Sequence, residues 1–149
     1  MLHRDSLISG STTPLDSDDV RLLTEIGFLA SARGDVLRAE VIFGALMLFR
    51  PNAAFPYVGL ATALMNARRP GEAAAVLAKA VDLTGADDDL VKAMQGLALH
   101  LDGHAAQSSR VLRDLISRRS DDEVPSDGVR LALELAGESS HQAAPGGRR

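Results

Sequence analysis

Apolar residues recur at three- and four-residue intervals along most of this chain, which is the pattern of amphipathic helices. In the first run, the apolar residues expected to share one helix face are Leu22, Leu23, Ile26, Leu29 and Ala30. The helix should begin between Asp16 and Asp19, because aspartate there caps free backbone N–H groups and favours the positive end of the helix dipole. The pattern therefore predicts helical structure from about residue 16 to about residue 32.

Six further helices are predicted from the same spacing, and glycine or proline stands in several of the turns between them. Gly34 and Gly103 are expected to follow the first and fifth helices, and Pro51 follows the second, which it cannot continue. The last segment alternates apolar and polar residues around Leu131 and Leu133, so a strand also fits it. The expected helices after the first span about residues 35–49, 53–67, 70–83, 88–101, 105–118 and 127–136.

One sequence pattern occurs twice in this helical region. Ala73 and Leu77 lie 34 residues after Ala39 and Phe43. A period of this length is typical of stacked helical hairpins, in which each hairpin buries its apolar face against its neighbours. A third, degenerate copy, at about residues 88–118, fits only if one extra residue is allowed in the turn before it.

The first copy resembles the tetratricopeptide repeat (TPR) family. In the register set by Phe43, the first half of the TPR signature falls on Leu23, Ile26, Gly27 and Ala30. This resemblance implies an all-α fold, a TPR-like right-handed superhelix of about three helical hairpins. Because a helical stack needs its last apolar face covered, the final segment is interpreted as a short C-terminal capping helix.

The chain is expected to form one helical domain with unstructured ends. Its 149 residues suffice for one domain with a real core and are too few for two substantial ones. Residues 1–15 are polar and without periodicity, which predicts a flexible N-terminal arm. The helical domain is placed at residues 16–136, and the composition of residues 137–149 predicts a disordered tail.

Charge and composition exclude several classes of function. The net charge of −4, without any run of five basic residues, argues against binding to nucleic acid. The lack of cysteine excludes zinc fingers, disulfides and thiol nucleophiles, and it fits a reducing cytoplasm. Neither a secretory signal nor a membrane-spanning segment is expected, because the apolar runs are too short for either.

No constellation of residues predicts catalysis. His100, Asp102 and His104 have the residue types of metal ligands, but Gly103 is expected to break the helix between the two histidines. The serines lack a G-x-S-x-G context, and the aspartate runs fall at helix starts or in loops. We expect neither an enzyme nor a bound cofactor or metal, and zinc bound through His100 and His104 is the alternative.

The TPR resemblance implies a groove, because the first helix of each hairpin lines the concave surface of a TPR stack. The apolar residues that line this groove are not expected to be needed for the hairpin core. Exposed apolar residues in a cluster usually mark a binding surface. The alternative is that the groove closes on itself, through the C-terminal segment or by self-association. The residues expected to face the groove are Arg21, Thr24, Phe28, Ser31, Phe55, Val58, Thr62, Met65, Leu90, Ala93, Leu97 and His100.

A second resemblance is carried by residues 39–46 (AEVIFGAL), Arg50-Pro51 and residues 56–61 (PYVGLA). These are similar to the small TPR proteins of bacterial type III secretion systems. The resemblance implies a cytoplasmic, non-catalytic chaperone that binds an apolar amphipathic helix of a secreted subunit, alone or together with a second small chaperone. Neither a nucleic-acid partner nor a membrane partner is expected. The alternative is a self-associating TPR scaffold or assembly protein of a secretion apparatus, and the sequence leaves the oligomeric state open.

Overall fold

The computed structural model describes residues 15–142, and side chains are described up to residue 137. All regular structure in this range is helical, so the predicted all-α class is confirmed and the last segment is not a strand. No helix in this range combines the length and apolar character that a membrane span requires. The helices are α1 (Ser17–Ala32), α2 (Val36–Phe49), α3 (Phe55–Asn66), α4 (Pro70–Ala78), α5 (Gly85–Leu101), α6 (Ala105–Ser117) and α7 (Asp127–Gln142).

Local aspartate caps fix the starts of the first two helices. The Asp16 carboxylate accepts the Asp19 N–H at 2.8 Å, and the Asp19 carboxylate accepts the Asp16 N–H at 3.3 Å, which forms a capping box. At α2, the Asp35 carboxylate accepts the Arg38 N–H at 3.2 Å. Both starts therefore lie within the few residues that the sequence predicts.

The fourth helix is shorter than expected, because it ends at Ala78 and not at about Leu83. The Lys79 N–H bonds to the Val76 carbonyl at 3.1 Å, which is the tighter three-residue turn that often closes a helix. Asp82 then takes a positive φ of 57°, a conformation that aspartate tolerates better than most residues.

The fifth helix begins earlier than expected, at Gly85 and not at about Asp88. Asp87 and Asp88 consequently lie in its first turn. There the Asp87 carboxylate accepts the Ala54 N–H at 3.1 Å and so satisfies a free donor at the start of α3. This contact joins residues 33 positions apart, so local sequence pattern cannot reveal it.

The last helix extends six residues beyond the expected end at Ala136, to Gln142, and passes through Gly137, where the tail was predicted to begin. Its start is fixed on α5, because the Asp89 carboxylate accepts the Ser126 hydroxyl at 2.7 Å. The predicted arm up to residue 14 and the tail from residue 143 lie outside the described residues.

The helices stack in the order of the chain. Each odd-numbered helix contacts the next helix and the next odd-numbered helix, whereas the described parts of α2, α4 and α6 do not contact one another. The main core is built from α1 to α5, and a second apolar cluster joins α5, α6 and α7. The last helix thus continues the stack, since it packs on α5 and α6.

Glycines allow the helices to approach closely around Phe43, whose fully buried ring lies between α1 and α3. A Cβ atom would lie 2.7 Å from the Phe43 Cζ if added at Gly27, and 2.2 Å from it if added at Gly59. The two glycines therefore provide the space that the ring occupies. A similar contact recurs later, where a Cβ atom on Gly96 would lie 2.5 Å from Leu112 Cδ2.

Candidate functional site

The third helix carries an uncharged stripe that is only half-buried. Phe55, Val58, Thr62 and Met65 recur at three- and four-residue spacing, so they lie along one side of α3. The Thr62 hydroxyl donates to the Val58 carbonyl of the same helix at 2.7 Å, so its one hydrogen-bond donor is already used. The stripe is consequently apolar over about three helical turns.

The first helix adds an aromatic residue beside this stripe. Phe28 is exposed at 38% while its ring packs edge-on against Phe43, with 5.2 Å between centroids and 70° between planes. Thr24, one turn earlier and half-buried, donates its hydroxyl to the Val20 carbonyl at 2.6 Å. As in α3, the hydroxyl is satisfied within its own helix.

The other predicted groove residues are more dispersed. Arg21 is exposed at the start of α1 and forms an ion pair with Glu25 at 3.8 Å. Leu90 and Leu97 are half-buried on α5, and His100 is exposed near the end of that helix. Leu90, Leu97 and His100 belong to α5, which within the described residues contacts α3 directly but does not contact α1.

Two residues expected to face the groove are buried. The Ser31 hydroxyl is 2.7 Å from the Gly59 carbonyl, to which it donates across the contact between α1 and α3. Ala93 is fully buried in the cluster of Leu115 and Val129, because α7 packs on α5 at this point. Neither side chain is available to a ligand, and Ser31 instead helps to fix α3 on α1.

The apolar groove residues also pack on the core, although they were not expected to be needed for it. Phe55, Val58 and Met65 pack against the main core, and Phe28 contacts the buried Phe43 ring. Each of these four residues nevertheless keeps part of its side chain exposed. We call the surface formed by Phe28, Phe55, Val58, Thr62 and Met65 the α1–α3 face.

Within the described residues, α7 does not pack on the α1–α3 face. The last helix contacts α5 and α6 but neither α1 nor α3. Closure by α7 over α1 and α3, one form of the self-closed groove considered from the sequence, is therefore not observed between residues 15 and 142.

Sequence reasoning missed a second apolar surface on α1. Leu22, Ile26 and Leu29 were expected to share a buried face with Leu23 and Ala30, but they are exposed at 56%, 42% and 62%. Only Leu23 and Ala30 pack against or within the core. A signal was present, since the seven apolar residues in the eleven-residue segment from Leu22 to Ala32 exceed what one narrow face needs.

In the part of the chain that the structure describes, side chains that could ligate a metal do not converge on a site. His104 Nε2 lies 3.2 Å from Asp102 Oδ2, and both residues are in or beside the turn between α5 and α6. Within the described residues, no group of three or more His, Asp or Glu side chains could hold a metal ion.

The clearest shifts in pKa occur away from the α1–α3 face. The hydrogen bond from the Arg38 side chain holds the pKa of Asp35 below its usual value, and the Arg69 side chain does the same for the pKa of Glu72. Both pairs are at the surface, at the starts of α2 and α4. They are explained by local ion pairing and do not indicate a reactive site.

The α1–α3 face is therefore an apolar, uncharged surface of about five side chains on two helices held in fixed register. The register is fixed by Ser31, and further by Asn66, whose side-chain amide donates to the Ser31 carbonyl at 2.8 Å. Such a surface can bind an apolar segment of another protein, and it has no group suited to bond chemistry. Comparison of this chain with protein-family models, with curated proteins and with solved structures finds no match.

Proposed function

We propose that this chain is a non-catalytic protein-binding module of the TPR type, and that its α1–α3 face holds an apolar amphipathic helix of a partner protein. The observation that carries the proposal is the uncharged, half-exposed stripe of α3, whose threonine hydroxyl is satisfied internally. Grooves that hold amphipathic helices use apolar surfaces of this kind.

The TPR interpretation is supported by positions that recur along the stack. Phe43, Leu77 and Leu112 occupy matching places in α2, α4 and α6, and all three are buried. The intervals are 34 and 35 residues, as the degenerate third copy requires. Contacts between each odd-numbered helix and the next also fit a stack of hairpins.

The partly exposed anchors suit a moderate affinity. Burying an apolar side chain completely contributes about 1.5–3 kcal/mol, so four half-buried anchors offer about 3–6 kcal/mol. A partner helix contributes a similar amount from its own apolar side chains, and ordering costs are subtracted from the total. Binding in the micromolar range, about −8 kcal/mol, is therefore within reach.

The similarity to type III secretion proteins gives this binding a purpose. An apolar helix of a secreted subunit can polymerise or insert into membranes before export, and a chaperone in the cytoplasm that covers the helix prevents both. A moderate affinity also permits release at the export gate, because the partner can dissociate quickly. We therefore propose a secretion chaperone for one small exported subunit.

The test begins with co-purification from the native bacterium and identification of the bound protein by mass. We expect a small secreted subunit with an amphipathic helix. Val58→Glu and Thr62→Glu should each abolish its co-purification, because each places a charge in the stripe. Thr62→Glu is the more informative variant, since Val58 packs against the main core, whereas the Thr62 hydroxyl bonds within its own helix.

The matched control is Leu101→Glu, which places the same charge on an exposed residue of α5, outside the α1–α3 face. It should leave the complex intact, and all three variants should keep native helix content by circular dichroism. Recovery of the subunit with Thr62→Glu as efficiently as with the native chain would contradict the proposed site. Recovery of the chain without any exported protein would contradict the chaperone function.

A further inference from the structure

The exposed residues of α1 occupy positions that are buried in α3. Pro56, Leu60 and Ala63 lie 34 residues after Leu22, Ile26 and Leu29, and all three are buried. Their exposed fractions are below 2%, 8% and 0%. They are buried because α3 packs against the preceding helix α2. No helix among the described residues precedes α1, so its equivalent surface is open. We call Leu22, Ile26 and Leu29 the α1 end face.

The second helix extends this apolar surface. Leu37, Arg38, Val41 and Ile42 line a shallow cavity of about 300 Å³, and Leu37 and Val41 are exposed. The cavity adjoins α1, because a Cβ atom on Gly27 would lie 3.1 Å from Ile42 Cγ2. The first two helices together therefore present an apolar end of the stack, and Arg38 is the one charged residue lining the cavity.

The α1 end face is complementary to itself when two copies of α1 run antiparallel. With the two-fold axis between residues 25 and 26, Leu22 of one copy faces Leu29 of the other, and the two Ile26 side chains meet near the axis. One helical turn further out, Asp18 faces Arg33 of the other copy at both ends. Both residues are exposed. In this register Glu25 lies opposite Ile26 and flanks the axis, where it is paired with Arg21 of its own helix at 3.8 Å. Opposite charges at the rim and mainly apolar residues near the axis are the arrangement of a stable interface.

We propose that the chain forms a homodimer through the α1 end faces, with the two α1 helices antiparallel. The contact is isologous, so it closes on itself and yields dimers and not an open filament. Head-to-tail stacking, in which the α1 end face of one copy packs on α7 of the next, is disfavoured. Among the side chains described for α7, Leu133 is the one large apolar residue that is exposed, with an exposed fraction of 37%. If residues 1–14 covered the α1 end face instead, the chain would stay a monomer. The mass measurement described below distinguishes this outcome from a dimer.

The dimer is independent of the proposed chaperone function. Successive residues are separated by 100° around a helix, so Leu29 points well away from Phe28 and the α1–α3 face. Dimerisation therefore leaves both α1–α3 faces open. Loss of the dimer and loss of the bound subunit should result from different substitutions, so one proposal can fail without the other.

The first experiment measures the mass of the full chain by light scattering and by sedimentation equilibrium. We expect twice the chain mass of 15.7 kDa. Leu22→Glu and Leu29→Glu should each raise the dimer dissociation constant by at least about 100-fold, because each brings an unpaired charge into an apolar contact. Leu101→Glu is the matched control, since Leu101 is exposed at 54% and Leu22 at 56%, and it should leave the constant unchanged.

A crosslink tests the orientation. The chain has no cysteine, so a single substitution gives an unambiguous product. Ile26→Cys should form a disulfide-linked dimer on mild oxidation, and Leu101→Cys should not. Arg33→Asp should weaken the dimer, and adding Asp18→Arg should restore it, because the swapped charges attract again.

Three results would overturn the proposal: a monomer at high protein concentration, a dimer that survives Leu22→Glu, or oligomers larger than two. Circular dichroism of each variant must match that of the native chain, so that lost association is not confused with lost folding. Should Leu22→Glu unfold, the Ile26→Cys crosslink and the Arg33 charge swap decide the matter alone.

Discussion

The close approach of α1, α2 and α3 depends on the absence of a side chain at Gly59, and Gly59→Ala tests this directly. The added Cβ would lie 2.2 Å from Phe43 Cζ, 2.5 Å from Cε2 and 2.6 Å from Cε1. The ring is fully buried, so it cannot swing into solvent to relieve the contact. Either the ring leaves its rotamer or α3 moves away from α2.

The expected loss of stability follows from two opposed contributions. Overpacking a core by one methyl group costs about 1–3 kcal/mol, and a contact this short belongs at the upper end. Inside a helix, alanine is more stabilising than glycine by about 1 kcal/mol, which offsets part of that cost. The net loss should be about 2 kcal/mol, or roughly 4–8 °C in Tm for a chain of this size.

Urea unfolding followed by circular dichroism measures this difference, with all proteins at one concentration because a dimer's stability depends on it. Gly44→Ala is the matched control, since Gly44 lies inside α2 and a Cβ there meets nothing within 4 Å. It should raise stability by up to about 1 kcal/mol. Phe43→Leu should make Gly59→Ala less costly, with a coupling energy of about 1 kcal/mol or more. Equal effects of the two glycine substitutions would refute this account of the packing.

Two smaller effects follow from hydrogen bonds. Ser108→Ala removes a buried hydroxyl that donates to the Gly96 carbonyl at 2.7 Å, so unfolding should show a loss of about 0.5–1 kcal/mol, while the neighbouring Ser109→Ala should be near neutral. The lowered pKa values of Asp35 and Glu72 stabilise the fold above the unfolded-state pKa values near 4, and this contribution is lost as pH falls through the lower folded-state values. The urea midpoint should therefore fall between pH 5 and pH 3, and Asp35→Asn should make that fall shallower; an unchanged pH profile would contradict the pairing with Arg38.

The sequence predicts helix starts well where the signal is local. Asp16 and Asp35 cap helices within three residues of themselves, so their role can be inferred from spacing alone. The start of α5 is different, because Asp87 caps α3 at Ala54 and not its own helix. That contact depends on how the hairpins stack, which spacing does not specify.

The candidate site likewise contains residues whose position follows from local spacing and residues whose burial depends on a neighbouring helix. The stripe of α3 follows from helical spacing, and its residues lie on one side as expected. Ser31 and Ala93 have the same spacing but are buried, since one bonds to the Gly59 carbonyl and the other meets α7. Conversely, Leu22 and Leu29 resemble core residues in the sequence, and they are exposed because α1 is the first helix of the described stack. Whether an apolar position is core or surface depends on which neighbour is present.

The most direct test of the central proposal is a fluorescence anisotropy titration with the isolated amphipathic helix of the co-purified subunit. The native chain should bind this peptide with a Kd of about 1–10 µM, in line with the anchors available on the α1–α3 face. Thr62→Glu should raise the Kd at least about 30-fold, whereas Leu101→Glu and Leu22→Glu should not change it. Equal affinity of the native chain and Thr62→Glu for the peptide would contradict the assignment of the binding site to this face.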